Sequence, residues 1–200
     1  MRKVRLILYG LIPVVALLGL AAWWLGPDRA VRIVEDATAV SVGGPFEMLD
    51  HRGQAVTEQV LLGYHTLIYF GYTGCPDVCP TELNTMAQAI DTLPPKQVAR
   101  VQPVFVTVDP ERDTVAVLGA YVAAFHPRMI GLTGTAEQIA AMKKAYRVYS
   151  RSLEKDDDGA YLVDHSTFIF LIGPDGRFLE LLRPQLSIEE MADRVRRRLG

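Results

Sequence analysis

Cysteine is scarce in this chain of 200 residues: Cys75 and Cys79 are the two present, too few for a disulfide-dense scaffold and too close together for a long-range staple. Positive charge is not in excess either. Against 23 acidic residues stand 21 basic ones, a net charge of -2, so the electrostatic footprint of a nucleic-acid-binding protein is missing and no nucleic-acid partner is expected. No internal repeat or low-complexity stretch occurs, and with 22% charged and 50% apolar residues the composition excludes a disordered or fibrous chain. At roughly 150 residues per domain, the length allows one globular domain and a little more, not two.

One long run lacks charge altogether. From Leu6 to Leu25 the chain reads LILYGLIPVVALLGLAAWWL, twenty residues that as a helix would span the ~30 Å hydrocarbon core of a bilayer. Arg2, Lys3 and Arg5 precede it, so the positive-inside rule predicts residues 1–5 in the cytoplasm and everything beyond the span on the extracytoplasmic, periplasmic-type side. Trp23 and Trp24 suit the far interface, and this bulky pair follows Ala21-Ala22 where a cleaved signal peptide would want small residues; an uncleaved single-pass anchor over 6–25 is expected. Residues 26–43 are weakly patterned and read as a tether, with the folded domain over 44–200.

Within that domain, strands alternate with helices. Phe46–Leu49 and the turn Asp50-His51-Arg52-Gly53 predict a short hairpin, Thr66–Phe70 and Val101–Val108 two buried strands, and Met129–Leu132 another. Helices are predicted over Pro80–Leu93, over Thr114–Phe125 with Val117, Leu118, Tyr121, Val122 and Phe125 on one face, and from Thr135 to about Tyr146. Thr135 and Gln138 form a capping box there, and Ser187 with Glu190 caps a last helix to Leu199. Ser166–Ile172 and Arg177–Leu182 flank Gly173-Pro174-Asp175-Gly176, which reads as a hairpin turn. The fold class is α/β, a mixed sheet flanked by helices.

The chemistry concentrates in Gly71-Tyr72-Thr73-Gly74-Cys75-Pro76-Asp77-Val78-Cys79-Pro80. A helix starting with Pro80 at its first position avoids the loss of an N–H and the ring clash of an interior proline, which places Cys79 as the cap and both sulfurs at the positive helix end, where thiolate is favoured. Thiolates bind soft metals or attack disulfides. An inert disulfide across three intervening residues would remove little loop entropy, and zinc would need ligands from elsewhere. Of the four histidines, His51, His65 and His126 read as ordinary surface residues. His165 precedes an apolar strand at a sheet end, where a metal ligand and a hydrogen-bonded structural histidine look alike. Two thiolates and an imidazole would suit Cu(I), with room for a fourth ligand on Cu(II). The six methionines form no thioether cluster, and Met86 and Met142 read as core. Asp77, Asp109 and Asp164 are placed either to orient a ligand or merely to accept N–H bonds in their turns. Glu154–Asp158 reads as a solvated loop, and Arg194, Arg196, Arg197 and Arg198 as charges opposing the negative end of the last helix.

The runs YFGYTGCPDVCPTEL, FVTVDPERDT and YLVDHSTFIFLIGPDGRFLE, in that order, resemble the Sco/SenC family of copper-binding proteins that assist cytochrome c oxidase assembly. The resemblance covers roughly Gly44–Leu199. It implies a thioredoxin-like fold and copper, as Cu(I) and Cu(II), on Cys75, Cys79 and His165. It also implies a partner in the copper-bearing subunit of the oxidase, whose binuclear centre such proteins are held to metallate, with another copper carrier and a thiol reductant as further partners. The alternative reading is a thiol-disulfide oxidoreductase in which Cys75 and Cys79 are the redox-active pair. Three residues between the cysteines, rather than two, and Asp164-His165 where thioredoxins carry proline, tell against it. Peroxide reduction is weaker still, since nothing near Cys75 is dedicated to peroxide.

Overall fold

The computed structural model describes residues 42–200; the predicted anchor over 6–25 and the tether as far as residue 41 lie outside the described residues. Among the described residues, no helix is long and apolar enough to cross a membrane. The strands are β1 (Glu47–Asp50), β2 (Ala55–Thr57), β3 (His65–Gly71), β4 (Val101–Thr107), β5 (Ile130–Thr133), β6 (Ser150–Ser152), β7 (Val163–His165), β8 (Ile169–Ile172) and β9 (Phe178–Leu182). The helices are α1 (Val78–Asp91), α2 (Pro95–Val98), α3 (Val115–Ala123), α4 (Ala136–Tyr146) and α5 (Ile188–Leu199), with a 3-10 turn at Glu58–Leu61.

Seven strands form one sheet in the order β2-β1-β5-β4-β3-β8-β9. Its centre is parallel, β3 beside β4 and β4 beside β5, while β1, β2, β8 and β9 run antiparallel to their neighbours. HTLIYFG and VQPVFVT are buried at every position, which is why they read as unbroken runs: a central strand covered on both faces has no polar side to alternate with. Helices α1 and α5 pack on each other and on β3, with α3 against β5 and α4 against β1. Leu83, Met86 and Ile90 of α1 and Met142 of α4 are fully buried.

Local signals placed most of these elements. Both capping boxes are present, Thr135 with Gln138 and Ser187 with Glu190. In the β8–β9 hairpin, the Gly173 N–H donates to the Arg177 carbonyl at 2.8 Å and Gly176 takes φ +79°, a backbone angle that favours glycine. Some expectations need correction. Strand β8 begins at Ile169 rather than Ser166, because residues 166–168 form an irregular link from a separate ribbon, β6 paired antiparallel with β7, whose second strand ends at His165. On α3, Val117 is exposed while Leu118 and Val122 are buried. Arg194 and Arg198 do more than face the helix dipole; both pair with Glu180 of β9.

His65 and His126 are not surface residues, each being only 5% exposed. Burial is the main cause holding both imidazoles below their ordinary pKa, with Arg100 adding to it at His65; at His126, Arg128 adds and Asp91 opposes. Folding therefore favours the neutral rings. Stability is complete above the unfolded-state pKa of ~6.5 and is lost as pH falls through the lower folded-state values. We expect the thermal midpoint to hold steady from about pH 8 to 7 and to drop on acidification below about 6.5. His126→Gln, which keeps an acceptor for the Arg128 N–H, should shrink that drop; a midpoint that rises on acidification would contradict the reading.

Candidate metal centre

The cysteine loop leaves the sheet at the C-terminal end of β3, an outer one of the three parallel strands, and strand ends of this kind are where α/β folds gather their sites. Gly71 ends the strand. A Cβ there would lie 2.8 Å from the Cys79 Sγ and 3.0 Å from the Phe105 ring, so only glycine lets the backbone pass beneath the second sulfur. The Cys75 N–H donates to the Tyr72 carbonyl at 3.2 Å, closing a turn that lifts Cys75 to the surface.

Helix α1 starts two residues earlier than proline placement alone predicts. Asp77 is the N-cap, Cys79 lies inside the first turn and Pro80 follows it, a position where the missing N–H had no intrahelical partner to lose. The Asp77 side chain makes no capping bond. Instead the Cys79 N–H donates to the Cys75 Sγ at 3.4 Å, so the first sulfur occupies the role of a capping acceptor. Cys79 itself is fully buried, and burial pushes its thiol well above the ordinary value, the Tyr72 backbone only partly opposing this. The thiolate expected at the helix end is therefore not favoured at Cys79 in the metal-free protein. Desolvation is the largest influence on this thiol, and a soft cation in place of the proton removes its cost.

His165 reaches the sulfurs from the β6–β7 ribbon. Ser150 pairs with it across the ribbon, and the Ser166 N–H donates to the Tyr149 carbonyl at 3.0 Å. Its Nδ1 lies 3.0 Å from the Ser166 carbonyl oxygen, the partner that fixes a proton on Nδ1 and leaves the Nε2 lone pair free; Nε2 is 3.3 Å from the Cys79 Sγ. The rings of Tyr69 and Tyr72 meet the imidazole edge to face, with centroids 6.2 and 5.8 Å away. Burial lowers the His165 pKa, which keeps the ring neutral as a ligand must be. The two sulfurs and a ring nitrogen all lie within 4.8 Å of one another, and among the described residues no other group of three His, Cys, Asp or Glu converges this way. Both cysteines are free thiols.

Among the described residues, none of the three aspartates hydrogen-bonds a sulfur or the imidazole. Asp109 is buried and accepts from the Tyr161 hydroxyl at 2.9 Å and from Arg112, whose guanidinium lies 3.7 Å over the Tyr161 ring and donates to the Tyr161 carbonyl at 2.8 Å. This cluster clips the loop after β4 to the chain entering β7; it does not touch the sulfurs. Asp164 points to solvent, and the ring of His165 is held by the Ser166 carbonyl instead. Asp77 is exposed. Sequence reasoning passed over Asp113, which is fully buried and accepts from the Thr73 N–H at 3.0 Å, the Thr73 hydroxyl at 2.6 Å and the Thr107 hydroxyl at 2.6 Å. It ties the cysteine loop to the end of β4. The signal was its place inside FVTVDPERDT, where a buried anchor and a solvated helix-entry aspartate read alike.

A family model described as SCO1/SenC matches residues 34–200. The chain belongs to the SCO1/SenC family. The cattle "Protein SCO2 homolog, mitochondrial" is 44% identical over 190 residues, covering 91% of this chain and 71% of that protein. The next four mitochondrial relatives are spanned over only 49% to 64% of their lengths. Among solved structures, Arabidopsis thaliana ScoI with copper bound superposes with a TM-score of 0.75 at 42% identity, over 80% of this chain and 98% of that one. Yeast Sco1 with copper bound gives 0.73 at 41%, over 78% and 87%. The mixed sheet with its flanking helices is thus the thioredoxin-like fold of the Sco proteins. Its additions to the alternating pattern include the ribbon that carries His165.

Proposed function

We propose that this Sco protein is a membrane-anchored copper metallochaperone that takes copper on Cys75, Cys79 and His165 and assists maturation of the binuclear copper centre of cytochrome c oxidase. The observation that carries the reading is the convergence of those ligand atoms within 4.8 Å from the cysteine turn, helix α1 and the ribbon. Copper is cargo here. The donor set suits it: two sulfurs and one imidazole complete a three-coordinate Cu(I) site and leave a position for a further ligand on Cu(II). Copper-bound structures of the plant and yeast relatives support the same metal. Arg2, Lys3 and Arg5 ahead of the apolar run support a domain held on the extracytoplasmic side, facing the copper-bearing subunit of the oxidase.

A second reading, reduction of the oxidase's own cysteines, is favoured by the free thiol pair on either side of a helix start. The imidazole Nε2 held 3.3 Å from the Cys79 Sγ is a third donor that disulfide exchange has no need of and that a metal site uses. Anaerobic titration of the reduced, full-length protein in detergent with Cu(I) is expected to saturate at one equivalent and to protect both thiols from alkylation. Cys75→Ser and Cys79→Ser should each lower the affinity at least a hundredfold. Undiminished binding by either variant would overturn the assignment.

A further inference from the structure

A groove of about 410 Å³ opens beside the metal ligands, and Cys75 and His165 form part of its wall. Cys79 is fully buried, so Cys75 presents the accessible sulfur and the groove is the direction from which an exchanging ligand can reach it. The rest of the wall is more apolar than a surface requires. Leu153 and Leu162, where the Leu153 N–H donates to the Leu162 carbonyl at 2.8 Å just past the ribbon, are 41% and 50% exposed. Val78 at the start of α1 completes the apolar side. The rim carries the carboxylates of Asp77 and Asp164, both exposed, and no lysine or arginine lines the groove.

Building on the metallochaperone reading, we propose that this groove docks a thiol-bearing segment of the protein that exchanges copper with this one, a segment with an apolar side chain beside its cysteine and a lysine or arginine flanking it. The apolar wall takes the former and the two rim carboxylates the latter. The same carboxylates repel a small anionic thiol. Exchange is then a substitution without redox change: the incoming thiol gives up its proton, its sulfur bonds Cu(I), the bond to Cys75 breaks, and the Cys75 sulfur takes up a proton.

The test is a displayed library of random peptides with one fixed central cysteine, selected on the reduced, copper-free, full-length protein in detergent. Enriched peptides are resynthesised with serine at the fixed position, so that affinity is read by fluorescence anisotropy without metal or disulfide chemistry. We expect enrichment of leucine-like residues with lysine or arginine, at least a tenfold loss of affinity in a Leu153→Ser/Leu162→Ser variant, and a weaker salt dependence in Asp164→Lys. Copper stoichiometry should stay at one in both variants, which separates failure of the groove from failure of the metal site. Unselective or acidic enrichment, affinities unmoved by the leucine changes, or a copper-free dimer abolished by them, which would make a second copy the occupant, would each overturn the proposal.

Discussion

Replacing His165 with alanine is expected to spare the dithiol chemistry and remove the copper function. The imidazole Nε2 stands 3.3 Å from the Cys79 sulfur, while Cys75 and Cys79 themselves lie on α1 and the turn that precedes it. Two sulfurs alone can hold Cu(I), but they complete a Cu(II) site poorly. Reversible Cys75–Cys79 oxidation should therefore persist in His165→Ala. Most of the sulfur-to-Cu(II) charge-transfer absorption should vanish, and oxidase metallation in cells lacking the native protein should fall at least tenfold. Cys75→Ser and Cys79→Ser should remove both properties. If His165→Ala restored a fully metallated oxidase, the oxidoreductase reading would replace the metallochaperone one.

Asp113→Ala should produce the largest loss of stability of any single polar substitution near the site. Its carboxylate accepts from Thr73 twice and from the Thr107 hydroxyl, all in a fully buried position. Hydrogen bonds to a charged acceptor contribute ~1.5–3 kcal/mol each and are not additive, and the donors left behind are desolvated, so the loss should be about 3–5 kcal/mol. Against a typical total of ~5–15 kcal/mol this is severe. Urea unfolding of the copper-free protein measures it. Asp113→Asn, which keeps one acceptor oxygen, should lose less. Because Thr73 lies two residues before Cys75, Cu(I) binding should weaken in Asp113→Ala, and saturating copper should recover part of the unfolding midpoint through mass action. A loss below about 1 kcal/mol would show that the loop is held elsewhere.

Elements with strong local determinants were legible in the sequence. The unbroken apolar runs of β3 and β4, the Thr135 and Ser187 capping boxes and the glycine-bounded β8–β9 turn each carry their own physics within a few residues. Legibility ended where position depends on distant partners. The β6–β7 ribbon pairs SRS with VDH, short and polar segments that show no strand period and are held by cross-strand hydrogen bonds. The start of α1 was misplaced because proline is tolerated throughout a first helical turn, not solely at its first position. His65 and His126 read as surface residues because a buried neutral imidazole leaves no mark on periodicity. In the site, the cysteine pair stood out from spacing alone. His165 was a candidate from its place at a strand end, where a ligand and a structural histidine read alike; the family resemblance decided for the ligand, and its orientation toward the sulfurs became visible only with the ribbon in place.

X-ray absorption at the copper edge of the Cu(I)-loaded, full-length protein addresses the central claim most directly, because it counts the atoms bound to the metal. Two sulfurs and one imidazole nitrogen are expected, with the nitrogen lost in His165→Ala and one sulfur lost in Cys75→Ser. A sulfur-only shell, or a spectrum that His165→Ala leaves unchanged, would contradict the site described here.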